Sequence, residues 1–437
     1  MAAHDKRIGA ALAAATCTLL GNGTPSPAQA ADDVNSWDFE TALLYYGESD
    51  SRVRDISLSA LAKRLFEDEK HLDLSLSVDT LTGASPSGAI ATGGAQTFTS
   101  PSGREVYSTP ANEIPLDDTF LDTRVAVSAR WTQPFARLYS GSAGASFSTE
   151  YDYTHIGADL ALSRDFNRRN TTMSAAVAYS QDDIDPVGGA PQALSQMLDV
   201  GDLTNRRGAQ SKDVMDVLIG MTQVIDRTTL LRINYSFSDS SGYLTDPYKF
   251  VSVVDPISGD TLTRSPPSGT QGPGGVYRFE SRPDSRTKHG LFLEAKHAFG
   301  SKVLDVSYRY MTDDWEIDSQ TLDARLRWPL GGVGYLEPHL RYYSQTAADF
   351  YRVSLADGEP LPRFASADSR LGDFDAITVG VKFGREMRHG AEWSARIELY
   401  RQSADVPDAL LIGNQFGRER SLDLNAIIAQ ISYRFGL

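Results

Sequence analysis

In the stretch Leu304-Asp305-Val306-Ser307-Tyr308-Arg309-Tyr310, and again in Leu322-Asp323-Ala324-Arg325-Leu326-Arg327-Trp328, every second side chain is apolar and its neighbours are polar or charged. A period of two is that of an extended chain with one oily and one wet face, whereas a helix would repeat near 3.6. The same alternation runs through Leu72, Leu74, Leu76 and Val78, through Val125, Val127 and Ala129, through Leu231, Ile233, Tyr235 and Phe237, and through Trp393, Ala395, Ile397 and Leu399. Sixteen such segments are predicted, near 37–46, 53–64, 71–79, 121–131, 136–146, 154–163, 171–180, 213–225, 228–238, 286–298, 303–312, 318–329, 335–346, 374–386, 392–402 and 422–435.

The intervals between them alternate in length. Tight connections are expected around Glu67-Asp68-Glu69, Gln133-Pro134, Asn167-Arg168, Asp226-Arg227, Gly300-Ser301, Gly331-Gly332 and His389-Gly390. The others, 80–120, 181–212, 239–285, 347–373 and 403–421, are long and rich in Gly, Pro, Ser and Asp. An even strand count with short turns at one end and long loops at the other predicts an all-β, antiparallel, up-and-down transmembrane β-barrel with periplasmic turns and extracellular loops. Hydrocarbon offers no partner to an open sheet edge, so strands span a bilayer only when the sheet closes. A soluble sandwich would need a second sheet over every apolar face and leaves the loop alternation unexplained. Trp37, Tyr45, Trp131, Tyr179, Trp328, Trp393 and Tyr433 sit near strand ends, where amphipathic rings suit the headgroup zone.

Residues 1–30 read as a cleaved secretory signal peptide: Lys6 and Arg7, an apolar run from Ile8 to Leu20, then Ala28-Gln29-Ala30. Residues 31–437 then form a single barrel domain. The one cysteine, Cys17, falls inside the leader, which excludes disulfides and thiolate chemistry from the exported protein. The formal charge of −15 opposes binding to phosphate backbones, so no nucleic-acid partner is expected. In the final segment Ile427, Ala429, Ile431, Tyr433, Phe435 and Leu437 share one parity, which suits recognition by the barrel-assembly machinery, although the terminal residue is Leu437 and not an aromatic one. Leu422 and Leu424 lie on the other parity, and a bulge or the membrane boundary is expected near Asn425.

Several stretches are less generic. Asp79-Thr-Leu-Thr-Gly-Ala-Ser-Pro86, Tyr243-Leu-Thr-Asp-Pro-Tyr-Lys249, Tyr277-Arg-Phe-Glu-Ser-Arg-Pro-Asp284 with Arg286, Asp313-Asp314-Trp315, Arg341-Tyr-Tyr-Ser-Gln345 running to Asp349-Phe-Tyr351, and Ser366-Ala-Asp368 with Arg370 span nearly the whole mature chain. In these the chain resembles the outer-membrane β-barrel family catalogued as domain of unknown function 3570. The resemblance implies the barrel fold and location in the outer membrane of a Gram-negative cell, and points to a periplasmic, flavin-linked redox protein as a candidate partner. It implies no activity.

Most of these motifs fall at the loop ends. Asp246, Tyr248, Arg282, Asp284, Arg286, Asp313, Asp314, Tyr343, Gln345, Asp349, Tyr351, Asp368 and Arg370 are candidates for a mouth or constriction that selects solutes by charge. The competing and preferred reading is that Arg–carboxylate pairs and Tyr hydroxyls pin long loops over the barrel. On the wall, Arg124, Arg130, Asp216, Arg232, Glu294, Lys296, Asp305, Arg309, Asp323, Arg325, Arg327, Glu337, Arg341, Arg396 and Glu398 have the polar parity and mix both signs, as a lattice of cross-strand ion pairs or a charged channel lining would.

Other chemistry is weakly signalled. Asp182, Asp183 and Asp185 before Gly188-Gly189 suggest a calcium loop but lack the EF-hand spacing. The histidines are scattered without a metal-ligand pair, and no metal or cofactor is expected. Ser148, Glu150 and His155 form the one sequence-local group resembling a hydrolase, and no enzymatic role is expected. The favoured function is a porin-like channel for small polar solutes or ions. The alternative is a non-conducting scaffold or conduit for redox partners. Contacts with membrane lipid and lipopolysaccharide are expected in either case.

Overall fold

The computed structural model of the protein describes residues 36–49, 52–387, 390–418 and 423–437. The leader, Leu422 and His389 lie outside them. Sixteen strands form one closed antiparallel barrel. In chain order they are β1 (Trp37–Glu48), β2 (Arg54–Leu65), β3 (His71–Pro86), β4 (Leu116–Ala136), β5 (Tyr139–Thr149), β6 (Tyr153–Phe166), β7 (Thr171–Ile184), β8 (Gln210–Val224), β9 (Thr229–Gly242), β10 (Ser285–Phe299), β11 (Lys302–Asp313), β12 (Asp318–Pro329), β13 (Tyr335–Gln345), β14 (Asp373–Glu386), β15 (Glu392–Asp405) and β16 (Leu424–Gly436). Each predicted segment corresponds to one of them. Closure is made by β1 against β16, with Phe39 opposite Phe435, and Trp37 and Leu437 exchange backbone hydrogen bonds of 2.9 and 2.8 Å.

One local expectation is corrected and another is narrowed. The chain continues as strand through Gln133 and Pro134 and turns instead after Ala136, with a register irregularity between Pro134 and Ala136. Proline donates no ladder hydrogen bond, and here it marks a bulge, not the turn. Of the bulge or membrane boundary expected near Asn425, the bulge is absent, because Asn425 pairs with Arg401 in an unbroken register, and the residue lies on the loop side of Ala429, the partner of the belt residue Tyr45. Leu424 has the polar parity because it packs inside the loop end of the barrel, against a cluster of Tyr46, Val53 and Ala426.

The outward face is apolar. Leu43, Leu58, Leu74, Leu76, Val127, Leu160, Ile219, Ile233, Leu293, Val379, Ile397 and Ile431 expose large side chains between two aromatic belts. One belt, Trp131, Phe135, Phe299, Trp328 and Tyr433, lies toward the turns, and the other, Tyr45, Tyr179, Tyr235, Tyr310 and Tyr342, toward the loops. The loop-side tyrosines hydrogen-bond across strands, Tyr310 to Asp318 at 2.9 Å and Tyr342 to Asp375 at 2.7 Å, which fixes where ring gives way to water. Tyr310 pairs with Gln320, and the strand from there to Trp328 at about 3.3 Å per residue and about 40° tilt gives a band of about 20 Å, near the roughly 25 Å of membrane-spanning barrels.

The long loops are folded. Residues 250–254 pair antiparallel with 277–279 and parallel with 354–356, and 96–99 pair with 106–109. Ala89, Phe98, Met197, Phe250, Tyr277 and Phe279 make one core, drawn from three different loops. Trp315, Phe350, Tyr351, Leu371, Val406 and Leu411 belong to a second. Gly88 has φ +97° and lies where a Cβ would strike the Phe250 carbonyl oxygen, so only glycine permits this approach between loops.

Candidate functional site: the cap and the lumen wall

The loop leaving β3 and the loop leaving β9 are rooted six strands apart around the ring. At a strand spacing of about 4.8 Å and a tilt of about 40°, sixteen strands enclose a cylinder about 30 Å across, and those roots lie nearly on opposite sides. Yet Phe98 of the first loop lies 4.6 Å from Tyr277 of the second, centroid to centroid. The loops therefore reach across the mouth and meet there as a cap.

Polar groups tie the cap together at its buried level. Asp368 accepts from Arg282 at 2.8 Å and from Arg370 Nε at 2.8 Å. Arg370 also reaches Asp246 at 2.8 Å, and Arg282 reaches Glu280 at 2.6 Å. The Glu280 carboxylate accepts from the Asp246 backbone N–H at 2.7 Å and from the Ser366 hydroxyl at 2.5 Å. Lys249, buried, donates to Ser85 Oγ at 3.1 Å and to the Pro86 carbonyl, which joins this network to the end of β3. Asp246, Glu280 and Asp368 thus stand among Lys249, Arg282 and the half-buried Arg370, three charges of each sign. Burial alone would raise the Asp368 carboxyl, but Arg370, Lys249 and Arg282 outweigh it and hold it well below the usual carboxylate range. Burial pushes Glu280 up against the pull of Arg282, and pulls Lys249 down.

The remaining mouth candidates divide. Arg286 donates to Asp313 at 2.8 Å and lies 4.3 Å from the Trp315 ring, while Asp313 also accepts from the backbone N–H groups of Trp315 and Ile317 at 3.0 Å. Tyr343 donates to Gln345 at 2.7 Å, and Gln345 donates to the carbonyls of Arg370 and Gly372. Tyr248 donates to Asp152, and its phenol is raised by burial and by that carboxylate. Tyr351 is packed in the second core, its phenol pushed up to about 12 by burial and by Asp368. Asp284, Asp314 and Asp349 are exposed, Asp314 accepting from the Thr287 N–H at 3.0 Å. Glu280, Lys249 and Ser366 were not singled out from the sequence, though each stands inside a quoted motif.

All the wall candidates lie on the face opposite the exposed apolar one. Arg124 pairs with Asp79 at 2.6 Å, Arg130 with Asp159 at 2.8 Å, and Arg232 with Glu294 at 3.2 Å. Lys296 bridges Glu294 and Asp305. His339 hydrogen-bonds both Asp323 and Glu398 at 2.8 Å, with Arg325 and Arg396 beside them. Arg309 lies over Phe292 and Arg327 over Tyr335. Glu337 stands opposite Lys382, Arg341 opposite Asp323, and Asp216 opposite Ser238.

The wall formed by β5, β6 and β7 differs. Three of its five lumen-facing register rows are short, Ser140, Ser163 and Ser174, then Ser142, Ala161 and Ala176, then Ser146, Gly157 and Ser180, while the other two carry Asp159 and the pair His155 and Asp182. At its loop end, His155 contacts Ser146 at 3.2 Å and Asp182 at 2.6 Å. Ser148 is the register partner of His155, but the hydrogen bond goes to Ser146. Asp182 and Asp183 are consecutive strand residues and so point to opposite faces, which rules out their joint chelation as a calcium loop. Asp122, Glu150 and Asp152 bring carboxylate oxygens within 4.8 Å of one another, beside a cavity of about 360 Å³ that is also lined by Arg104, Tyr248 and Lys249.

A closed barrel with an apolar belt, a polar interior and loops gathered at one end defines a membrane-spanning β-barrel of the outer-membrane class. The chain belongs to the family described as "Protein of unknown function (DUF3570)", which it matches over residues 9–435. No curated protein matches the sequence. Among solved structures it is similar to a bacterial polysaccharide outer membrane secretin (9% identity, TM-score 0.42, 92% of this chain and 100% of that one). It is also similar to OccK2 (OpdF) of Pseudomonas aeruginosa (8%, 0.41, 92% and 98%) and to the siderophore receptor PirA of Acinetobacter baumannii (9%, 0.39, 86% and 54%).

Proposed function

We propose that the protein is a porin-like channel for small polar solutes or ions, lying in the outer membrane with its cap toward the cell exterior. The observation that carries this reading is the wall of β5–β7, where three of five lumen-facing rows hold only serine, glycine and alanine: such side chains cannot fill a cylinder about 30 Å across, and barrels of this strand number hold water. The charged wall opposite would set selectivity, and the acidic excess of the chain favours cations. Lipid and lipopolysaccharide meet the belt, and the C-terminal strand serves the assembly machinery.

The cap favours a second reading, a non-conducting barrel that serves as scaffold for a periplasmic redox partner. Planar-bilayer recording separates the two. The channel gives steady ohmic current with a cation-selective reversal potential, and a larger current when the cap is loosened by Asp368→Ala. The scaffold gives no steady current from either protein.

A further inference from the structure

We propose that Ser146, His155 and Asp182 form a nucleophile, base and orienting acid on the lumen wall, hydrolysing small water-soluble carboxylic esters. Three strands each contribute one residue near their loop ends, and the sheet register brings the groups together. His155 Nδ1 lies 2.6 Å from Asp182 Oδ1 and Nε2 lies 3.2 Å from Ser146 Oγ. With the Nδ1 proton held by the carboxylate, Nε2 keeps a lone pair directed at the serine hydroxyl, which is the arrangement a serine nucleophile needs. Asp182 is itself fixed, since its second oxygen accepts from the Tyr153 hydroxyl and pairs with Lys212 at 3.2 Å. Gly157 makes the contact possible: a Cβ there would stand 2.7 Å from Ser146 Oγ and 3.0 Å from His155 Nε2.

In the reaction, Ser146 Oγ bonds to the ester carbonyl carbon while His155 Nε2 takes the hydroxyl proton. The carbon–oxygen bond to the leaving alcohol breaks, and His155 returns that proton to the departing alkoxide. Water then attacks the acyl-serine, gives a proton to His155, and releases the carboxylic acid as Ser146 Oγ recovers it. Strand N–H groups are committed to the ladder, so a side chain must stabilise the oxyanion, and Ser180, the register partner of Gly157, stands on the same face.

The test uses the full chain in detergent and a small alkyl fluorophosphonate, in which Ser146 Oγ displaces fluoride from phosphorus and His155 takes the proton. Mass spectrometry should find the adduct on Ser146. Ser146→Ala should abolish it, and His155→Gln should slow it by at least about 100-fold, the low end of what a general base contributes. Ser148→Ala should leave it unchanged. Asp182 and Gly157 are positioning residues. Asp182→Asn and Gly157→Ala should slow labelling while heat-modifiable gel migration shows an intact barrel, and Asp182→Glu should restore part of the rate. Hydrolysis of p-nitrophenyl acetate should follow the same order. No adduct on Ser146 in the intact wild-type barrel, or equal labelling of Ser148, would overturn the proposal, whatever the conductance.

Discussion

Replacing Asp368 by alanine removes the carboxylate on which Arg282 and Arg370 converge, at a residue only 2% exposed. Breaking a buried ion pair by removing one partner costs about 3–5 kcal/mol, because the remaining charges stay desolvated. The loss falls on the cap and not on the barrel, whose ladders make none of these contacts. At about 1.4 kcal/mol per tenfold change, the population with an opened cap should rise by roughly two to three and a half orders of magnitude. Hydrogen exchange read by mass spectrometry resolves this: peptides from 243–284 and 346–372 should exchange faster by that factor, while peptides from β11 keep their wild-type rate. Unchanged cap peptides would refute the assignment of the network as the cap's fastening. Equal acceleration in β11 would refute the claim that cap and barrel open separately.

The buried tyrosines predict loosening in alkali. Tyr351 ionises at about 12 in the closed cap against about 10 when exposed, so the cap's stability is full below pH 10 and is lost as pH rises toward 12. Protease cleavage within the cap should increase across that window. Asp368 has the opposite sign: its depressed carboxyl gives a contribution that is whole above the ordinary carboxylate range and fades progressively as pH falls from there toward the depressed value, so at about pH 4 most of it remains and cap exchange should stay slow. Gly83, at φ +123° beside a register irregularity in β3, has the Arg52 carbonyl where a Cβ would go. Gly83→Ala should cost about 1–3 kcal/mol and lower the temperature at which the folded band disappears on gels, whereas Gly417→Ala, with open space around it, should not.

The period-two alternation was enough to place every barrel strand, because a strand between lipid and water must alternate at each residue and that constraint is local. Turn positions were less legible: Pro134 looked like a breaker and is accommodated by a bulge inside β4. The parity of Leu424 suggested an irregularity, where the cause is an apolar cluster under the mouth. For the cap, the sequence marked Asp246, Arg282, Asp368 and Arg370 as a group of opposite charges but could not pair them, and it passed over Lys249 and Glu280. The wall offered Ser148 and Glu150 to His155 by nearness in the chain, whereas the fold gives it Ser146 and Asp182. Alternation is dictated by the solvent on each side of one strand and can be read along the chain. Which side chains meet depends on register between strands and on how far loops reach across a mouth, and those are fixed only when the sheet closes on itself.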